Sequence, residues 1–366
     1  MSSQIPVKNI YYLLAYAWNR LPESEIVDVA HLESQELADL LATVLINGIH
    51  HILRRGLDQA YVTEDAEIAG IRGKVIVGTT MRRMLAPHGR AHCEFDELKV
   101  DTLPNQILLA TVRRLKGVVS IDPGIKRKLG AVERELGGIS HLTLRRSLFR
   151  SLQLHRNNGF YRFLLSICEL VLTLSLLDET SGNYQFRDFI RDRRAMAQLF
   201  ESFVFNFYRI ERPDLEIRKE RIYWQASSTS DPELRYLPTM ETDISVRDKP
   251  HSKTLIIDTK FYSETLSTRF DSEKIHSANL YQMVAYLENL KSNCGPDSSA
   301  CGVLLYPVVS RPARLRYALN GHDIGICTVN LAEDWQIIRE ELNELCARYM
   351  PIPMDLRVER TASQPT

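Results

Sequence analysis

The stretch Lys253–Tyr262, KTLIIDTKFY, decides how the chain is read. Leu255, Ile256 and Ile257 form an aliphatic run suited to a strand that enters a core. Asp258, Thr259 and Lys260 follow at once. Side chains alternate faces along a strand, so Asp258 and Lys260 share a face with Ile256 and Tyr262. An acid and a base therefore leave the core together. Taken alone, such a pair is most simply a solvated ion contact worth under about 1 kcal/mol. Its neighbours in the sequence, PTMETD upstream and NLYQMVAY downstream, give it more weight.

Glu241 and Asp243 are expected on one strand face by the same alternation, and the turn-forming RDKPHSK lies between Asp243 and Asp258. A hairpin would set Asp243 beside Asp258. Converging carboxylates repel one another unless a cation lies between them, and hard oxygen ligands with open positions suit Mg2+. Lys260 would face the same ion, where an ammonium can orient an attacking water or neutralise charge growing on a phosphate. Downstream, Gln282 and Tyr286 lie four apart on one face of a helix whose apolar stripe is Leu280, Met283, Leu287 and Leu290. By themselves these two read as a surface pair. Glu201, in LFESFVF, places an acid on an otherwise apolar helix face and is the candidate upstream acid.

The chain has 366 residues, enough for two domains, and its 44% hydrophobic and 25% charged content is that of an ordinary globular protein. The net charge is zero, so any nucleic-acid surface has to be local. Six scattered cysteines form no C-x-x-C pair and read as reduced structural residues in the cytoplasm. The apolar run at Ile10–Trp18 is too short for a membrane span and lacks the flanks of a signal peptide, so no membrane role is expected.

Helical periodicity predicts helices near the N-terminus, with Asn9 as a cap, and over SQELADLLATVLINGIHHILRRG, where His50 and His51 read as helix-end caps. Short strands or a hairpin are expected from AEIAGIRGKVIVGTT to AHCEFDELKVDTL, where exposed Arg72, Lys74, Arg82 and Arg83 would suit a partner surface. His88, His92 and Cys93 have a metal-like spacing, but APHG argues for a turn and no fourth ligand is evident. Arg187, Arg191, Arg193 and Arg194 form a basic cluster before Glu201 that either contacts phosphate or is a solvated helix face. The order of helix, strands, helix, strand and helix in the C-terminal half predicts an α/β core with a mixed sheet. Residues 1–155 and 156–350 are the expected domains, with 351–366 a frayed tail.

The acid, the D-x-K strand and the Q-x-x-x-Y helix, in this order, resemble the PD-(D/E)xK nuclease superfamily. The further stretches IPVKNIYYLLAYAW, GIRGKV, DELKVDTLPNQIL, LPTMETDI, HSANLYQMVAYL and HDIGICTVNL together look like the McrC family, nuclease subunits of McrBC-type modification-dependent restriction systems. The resemblance implies an α/β (α+β) chain: an N-terminal partner-binding domain joined to a restriction-endonuclease-like core. It assigns Asp243 and Asp258 as Mg2+ ligands with the Thr259 backbone, Lys260 as the catalytic lysine and Gln282 and Tyr286 as supporting residues. Glu201 would be a further acid. Apart from the resemblance, Arg191 and Arg194 of the basic cluster are the residues expected to meet DNA. The resemblance implies an Mg2+-dependent endodeoxyribonuclease working on 5-methylcytosine DNA with a McrB-like AAA+ GTPase hexamer, which the chain would stimulate. GTP would belong to that partner, since Ile68, two residues before GIRGKV, and Val75 at its end stand where a nucleotide-binding P-loop needs Gly and Ser or Thr. The rival expectations are a non-catalytic adaptor of an AAA+ motor and a stand-alone DNA repair nuclease.

Overall fold

In the computed structural model the described residues are 5–24, 26–27, 36–152, 154, 158–177, 183–187, 189, 192–261, 267–269, 272–274, 276–291, 299–308 and 313–350. They divide into two compact units, one of residues 25–187 and one that joins 1–24 to 188–366. This division differs from the one expected at 155/156. The first helix has its packing partners in the C-terminal unit, and the apolar helix near residue 165 belongs with the inserted one.

The chain opens with α1 (Val7–Ala17) and a short α2 (Leu21–Ser24). The inserted unit follows as α3 (Leu37–Arg55), β1 (Ala60–Ala69), β2 (Lys74–Val75), α4 (Val77–Arg82), β3 (Arg90–Lys99), α5 (Leu103–Lys116), α6 (Pro123–Glu135), α7 (Arg146–Arg150), α8 (Gly159–Leu174), β4 (Ser175–Leu177) and β5 (Tyr184–Phe186). Helix α3 packs on α5, α6 and α8. A Cβ added at Gly48 would lie 2.3 Å from Leu164 Cδ2, so any larger residue here has to displace the Leu164 side chain where α3 meets α8. Strands β1 and β3 pair antiparallel from Ala60↔Lys99 to Ala69↔Arg90, a ten-residue ribbon with β2 on its far edge. The ribbon agrees with the expected hairpin. The segment after Val75 is helical, however, because VGTTMR closes a turn over Thr80, whose Oγ1 accepts from His92 N at 3.0 Å.

The second unit resumes at α9 (Arg193–Glu211) and continues through β6 (Glu216–Arg218), β7 (Arg221–Ile222), β8 (Met240–Glu241), β9 (Ile244–Asp248), β10 (Lys253–Thr259), β11 (Ser267–Arg269), β12 (Ser272–Lys274), α10 (Ser277–Lys291), β13 (Cys301–Val308), β14 (Arg314–Leu319), β15 (His322–Asn330) and α11 (Trp335–Tyr349). Six strands form a mixed sheet in the order β14-β15-β13-β10-β9-β6. The β10–β13 and β13–β15 ladders are parallel and the others antiparallel. This is the α/β core with a mixed sheet that the sequence predicts. Strand β10 is central, and Leu255, Ile256 and Ile257 are fully buried, each worth roughly 1.5–3 kcal/mol of transfer free energy. Ile256 packs with Met283, Tyr286, Leu287 and Leu304 in the core beneath α10.

Helix α1 belongs to this unit through its aromatic face. Tyr12 stacks on Trp335 at 4.9 Å between ring centroids, and Tyr16 meets Phe203, Phe207 and Trp335 at 5.3–5.8 Å. Asn9 is not its cap. Pro6 occupies that position, and Asn9 lies inside the helix with Nδ2 donating to Leu331 O at 2.7 Å and Glu333 O at 2.8 Å. His50 and His51 likewise sit within α3, which runs on to a Gly56 cap. His51 packs on Phe160 and His50 faces Glu135 at 3.6 Å.

Replacing Asn9 by Ala leaves two carbonyls of the β15–α11 turn without their donor. The expected loss is about 1–3 kcal/mol in urea unfolding followed by tryptophan fluorescence. An unchanged midpoint would show that Asn9 does not anchor α1.

Candidate active site

The antiparallel β9–β10 pair is in register from Lys253↔Asp248 to Ile257↔Ile244, so Asp243 and Asp258 follow directly beyond its last pair. Asp243 is not in a strand. The expected LPTMETDISVR strand is broken at Thr242 and Asp243, leaving β8 and β9 as separate pieces. The break has a clear cause: Thr242 turns to the segment between β6 and β7, its N donating to Glu220 O at 2.9 Å and its Oγ1 accepting from Glu220 N at 3.0 Å. Glu241 and Asp243 therefore do not act as the expected same-face pair. Asp243 Oδ2 accepts from Thr259 N at 2.8 Å and from Thr259 Oγ1 at 2.9 Å, which fixes its carboxylate across the end of β10.

Asp258 is 1% exposed, and neither carboxylate oxygen has a hydrogen-bond donor aligned to it. Lys260 Nζ stands 2.7 Å from Oδ2 as an ion pair. Burial pushes the Asp258 carboxyl up to about 6; Lys260 opposes this, while the charges of Asp243 and Glu201 add to it. Lys260 continues the parallel ladder, its N donating to Leu305 O at 2.9 Å, which aims its side chain along the face of Ile256 and Asp258 toward α10.

Gln282 and Tyr286 complete a chain of contacts. Lys260 Nζ donates to Gln282 Oε1 at 3.0 Å, Gln282 Nε2 donates to Tyr286 Oη at 2.7 Å, and Tyr286 Oη donates to Glu241 O at 2.9 Å. Burial pushes the Tyr286 phenol up to about 12, so it remains a donor at neutral pH. The helix thus ties the lysine to the strand piece preceding Asp243. The plain surface-pair reading of Gln282 and Tyr286 does not hold.

Five predicted residues, Asp243, Asp258, Lys260, Gln282 and Tyr286, come together, with Thr259 between them. Glu201 on α9 is near enough to raise the Asp258 carboxyl, yet its carboxylate is held by the ammonium of Lys219. Arg194 is exposed in the first turn of α9, which Asp192 caps through Arg194 N and Ala195 N; Arg191 lies outside the described residues. In the other unit Arg72 lies over the Phe95 ring at 4.4 Å, Lys74 faces Glu94 at 3.6 Å, and Arg82 and Arg83 are exposed. His92 and Cys93 are consecutive in β3 and so point to opposite faces, which ends their metal-like spacing. The Thr259 hydroxyl, Lys219 and the Thr242–Glu220 exchange are further parts of the site that the sequence does not announce. The first could be inferred from its position between the two charges; the others depend on pairing between distant segments.

Among the described residues no three His, Cys, Asp or Glu side chains lie close enough together to hold a metal ion. Two carboxylates are present instead. Asp258 supplies a buried carboxylate with unused lone pairs beside a second one held rigidly by Thr259, a donor set of hard oxygens that fits a divalent ion such as Mg2+ with remaining positions left to water and substrate.

The α/β unit with its mixed sheet thus gathers Asp243, Asp258 and Lys260 where strands β9 and β10 meet. Residues 6–307 match the family model described as McrBC 5-methylcytosine restriction system component, and the chain belongs to that family. It is 37% identical over 346 residues, 94% of its length and 98% of the relative's, to a protein of Escherichia coli (strain K12) described as the type IV methyl-directed restriction enzyme EcoKMcrBC. Among solved structures it resembles a chain of the Thermococcus gammatolerans assembly of McrB AAA+ hexamers with bound McrC. The likeness covers 93% of this chain and 76% of that one at TM-score 0.58 and 19% identity, and shows a shared fold.

Asp258 carries a pH signature. Its folded pKa is raised, so its contribution to stability is fully present below its unfolded pKa and is lost as pH rises through about 6. In metal-free buffer the wild type is expected to lose on the order of 1–3 kcal/mol between pH 5 and pH 8 from this group. Asp258→Asn should remove that slope; an identical pH profile in the variant would contradict the assigned burial.

Proposed function

We propose that the chain is the metal-dependent DNA-cleaving subunit of a methyl-directed restriction complex, working with an AAA+ GTPase. The observation that carries the reading is Asp258: a buried carboxylate with unsatisfied oxygens, flanked by a second rigid carboxylate and a lysine. A fold held together for its own sake gains little from such a group, since burying an acid with a single lysine partner is at best weakly stabilising against apolar packing. A metal ion bound by Asp243, Asp258 and the Thr259 carbonyl would supply Lewis-acid polarisation of a phosphate and a more acidic water.

The chain's own residues account for the remaining work. Lys260 is held between Asp258 and Gln282, so its ammonium has a defined position beside the reacting phosphate, where it orients water and offsets developing charge. Gln282 gives that ammonium a second partner beside Asp258, and Tyr286 fixes the Glu241 carbonyl before Asp243. Thr259 holds the Asp243 carboxylate in place with two hydrogen bonds. In hydrolysis a water oxygen would bond to phosphorus as the P–O3′ bond breaks, leaving a 5′-phosphate and a 3′-hydroxyl that takes up a proton.

The partner reading is supported by the likeness to a McrC chain bound to McrB AAA+ hexamers and by the surface of the 25–187 unit. Ile71, Met81 and Met84 are each at least 70% exposed around the ribbon end. Such apolar side chains, set among Arg72, Lys74, Arg82 and Arg83, suit a protein contact. We assign this end to the AAA+ partner and its GTPase stimulation, and methylated duplex DNA to the complex as substrate.

With partner, GTP and Mg2+ present, Asp258→Ala and Lys260→Ala are each expected to lower DNA cleavage by roughly 10²-fold or more while GTPase stimulation persists. Undiminished cleavage would reject the site and favour an adaptor. Met81→Asp combined with Met84→Asp should have the converse effect, removing GTPase stimulation while the folded chain keeps its circular dichroism. Stimulation equal to wild type would move the contact elsewhere. Cutting of unmethylated linear DNA by the chain alone would support the stand-alone repair reading.

A further inference from the structure

The β6–β7 segment borders a cavity of about 330 Å³ that the cleavage chemistry leaves unused. Its lining includes Arg218, Lys219, Arg221 and Arg247 against one acid, Glu220, with Tyr223 at the rim. Glu220 is already engaged: Oε1 takes Arg218 Nε at 3.0 Å and Oε2 takes Arg247 Nη2 at 2.9 Å. Arg218 also reaches Glu216, and Lys219 reaches Glu201. Arg221 differs from the other three, since it is exposed and makes no ion pair among the described residues. Ile222 is buried in the core, so by strand alternation Arg221 and Tyr223 project together on the opposite, solvent side. Tyr223 is 72% exposed, so its ring is free to meet a ligand.

The cavity's wall is coupled to the candidate active site through the backbone. Strand β7 pairs with β8 at Arg221↔Glu241 and Ile222↔Met240, Thr242 exchanges hydrogen bonds with Glu220, and Asp243 is the next residue. On its other side, Lys219 holds Glu201, whose charge is felt by Asp258. An anion seated here would lie on the element that positions Asp243. The chemistry suits a phosphate: a concave site in which Arg218, Lys219 and Arg247 are paired with acids, Arg221 is left over, and an aromatic ring is able to lie against a sugar or base.

We propose that this cavity binds a backbone phosphate of the DNA strand flanking the one to be cut, with Arg221 as the principal contact and Tyr223 packing on the adjoining nucleoside. The inference rests on the nuclease reading for the nature of its ligand. Arg221 and Tyr223 are then positioning residues that set the register of the duplex across Asp243 and Asp258. They contribute to sequence-independent affinity and not to the chemical step.

The test uses the full complex with its GTPase partner, GTP and Mg2+ on methylated duplex DNA, together with fluorescence anisotropy of the same duplex in Ca2+ without cleavage. Arg221→Glu is expected to raise KM for DNA by about tenfold with kcat changed less than twofold, Tyr223→Ala to raise it less, and Arg221→Lys to recover most of the loss. Arg221→Ala should reduce the slope of log affinity against log salt by about one. Unchanged KM and salt slope in a complex that cuts DNA would overturn the proposal. A complex that binds DNA but never cuts it would reject the nuclease reading, while the anisotropy of the Arg221 variants still decides this one. Millimolar inorganic phosphate or GTP that binds in an Arg221-dependent way, with DNA affinity unaltered, would assign the cavity to a free phosphate ligand and overturn the DNA assignment.

Discussion

The arrangement of the C-terminal unit turns on one unfavourable placement, an acid at the end of a central strand with almost no access to water. Three aliphatic residues carry β10 into the core, and their burial contributes several kcal/mol in transfer free energy. That gain holds Asp258 at a position where its charge costs free energy and its carboxyl is pushed up to about 6. Thr259 bonds Asp243, Lys260 meets Asp258, Gln282 restrains Lys260, and Tyr286 closes the circuit on the strand piece before Asp243. Each contact compensates locally for a charge that the core alone would not tolerate.

The sheet makes this circuit possible. Parallel pairing of β10 with β13 requires a crossover, and α10 supplies it while carrying Gln282 and Tyr286 over the strand end. Antiparallel pairing of β10 with β9 brings Asp243 to the same end from the other side. The interruption at Thr242 then turns the chain so that Asp243 meets Thr259. One topological arrangement thus gathers residues 243, 258–260, 282 and 286 from three elements.

Much of the C-terminal site is legible in the sequence, because its parts are short-range patterns. The D-x-K alternation follows from the strand period, and Gln282 with Tyr286 follows from the helix period. Long-range pairing leaves no such local pattern. The edge strand β14, RLRYAL, alternates polar and apolar residues over Arg314–Tyr317 only and is exposed at nearly every position, so its signal is too short to mark a strand before its pairing with β15 is known. Asn9 looks like a cap until the turn between β15 and α11 provides its carbonyl partners, more than 300 residues away. The unit boundary is hidden for the same reason: α1 is committed to the C-terminal unit by rings of Tyr12 and Tyr16 that meet Trp335.

The most direct measurement of the central claim is anomalous scattering from Mn2+ bound to crystals of the chain. The account expects one peak bonded to carboxylate oxygens of both Asp243 and Asp258 and to the Thr259 carbonyl, and its disappearance in Asp258→Asn crystals of the same form. A well-ordered site with no such peak, or an ion bound away from these carboxylates in protein that cuts DNA, would contradict it.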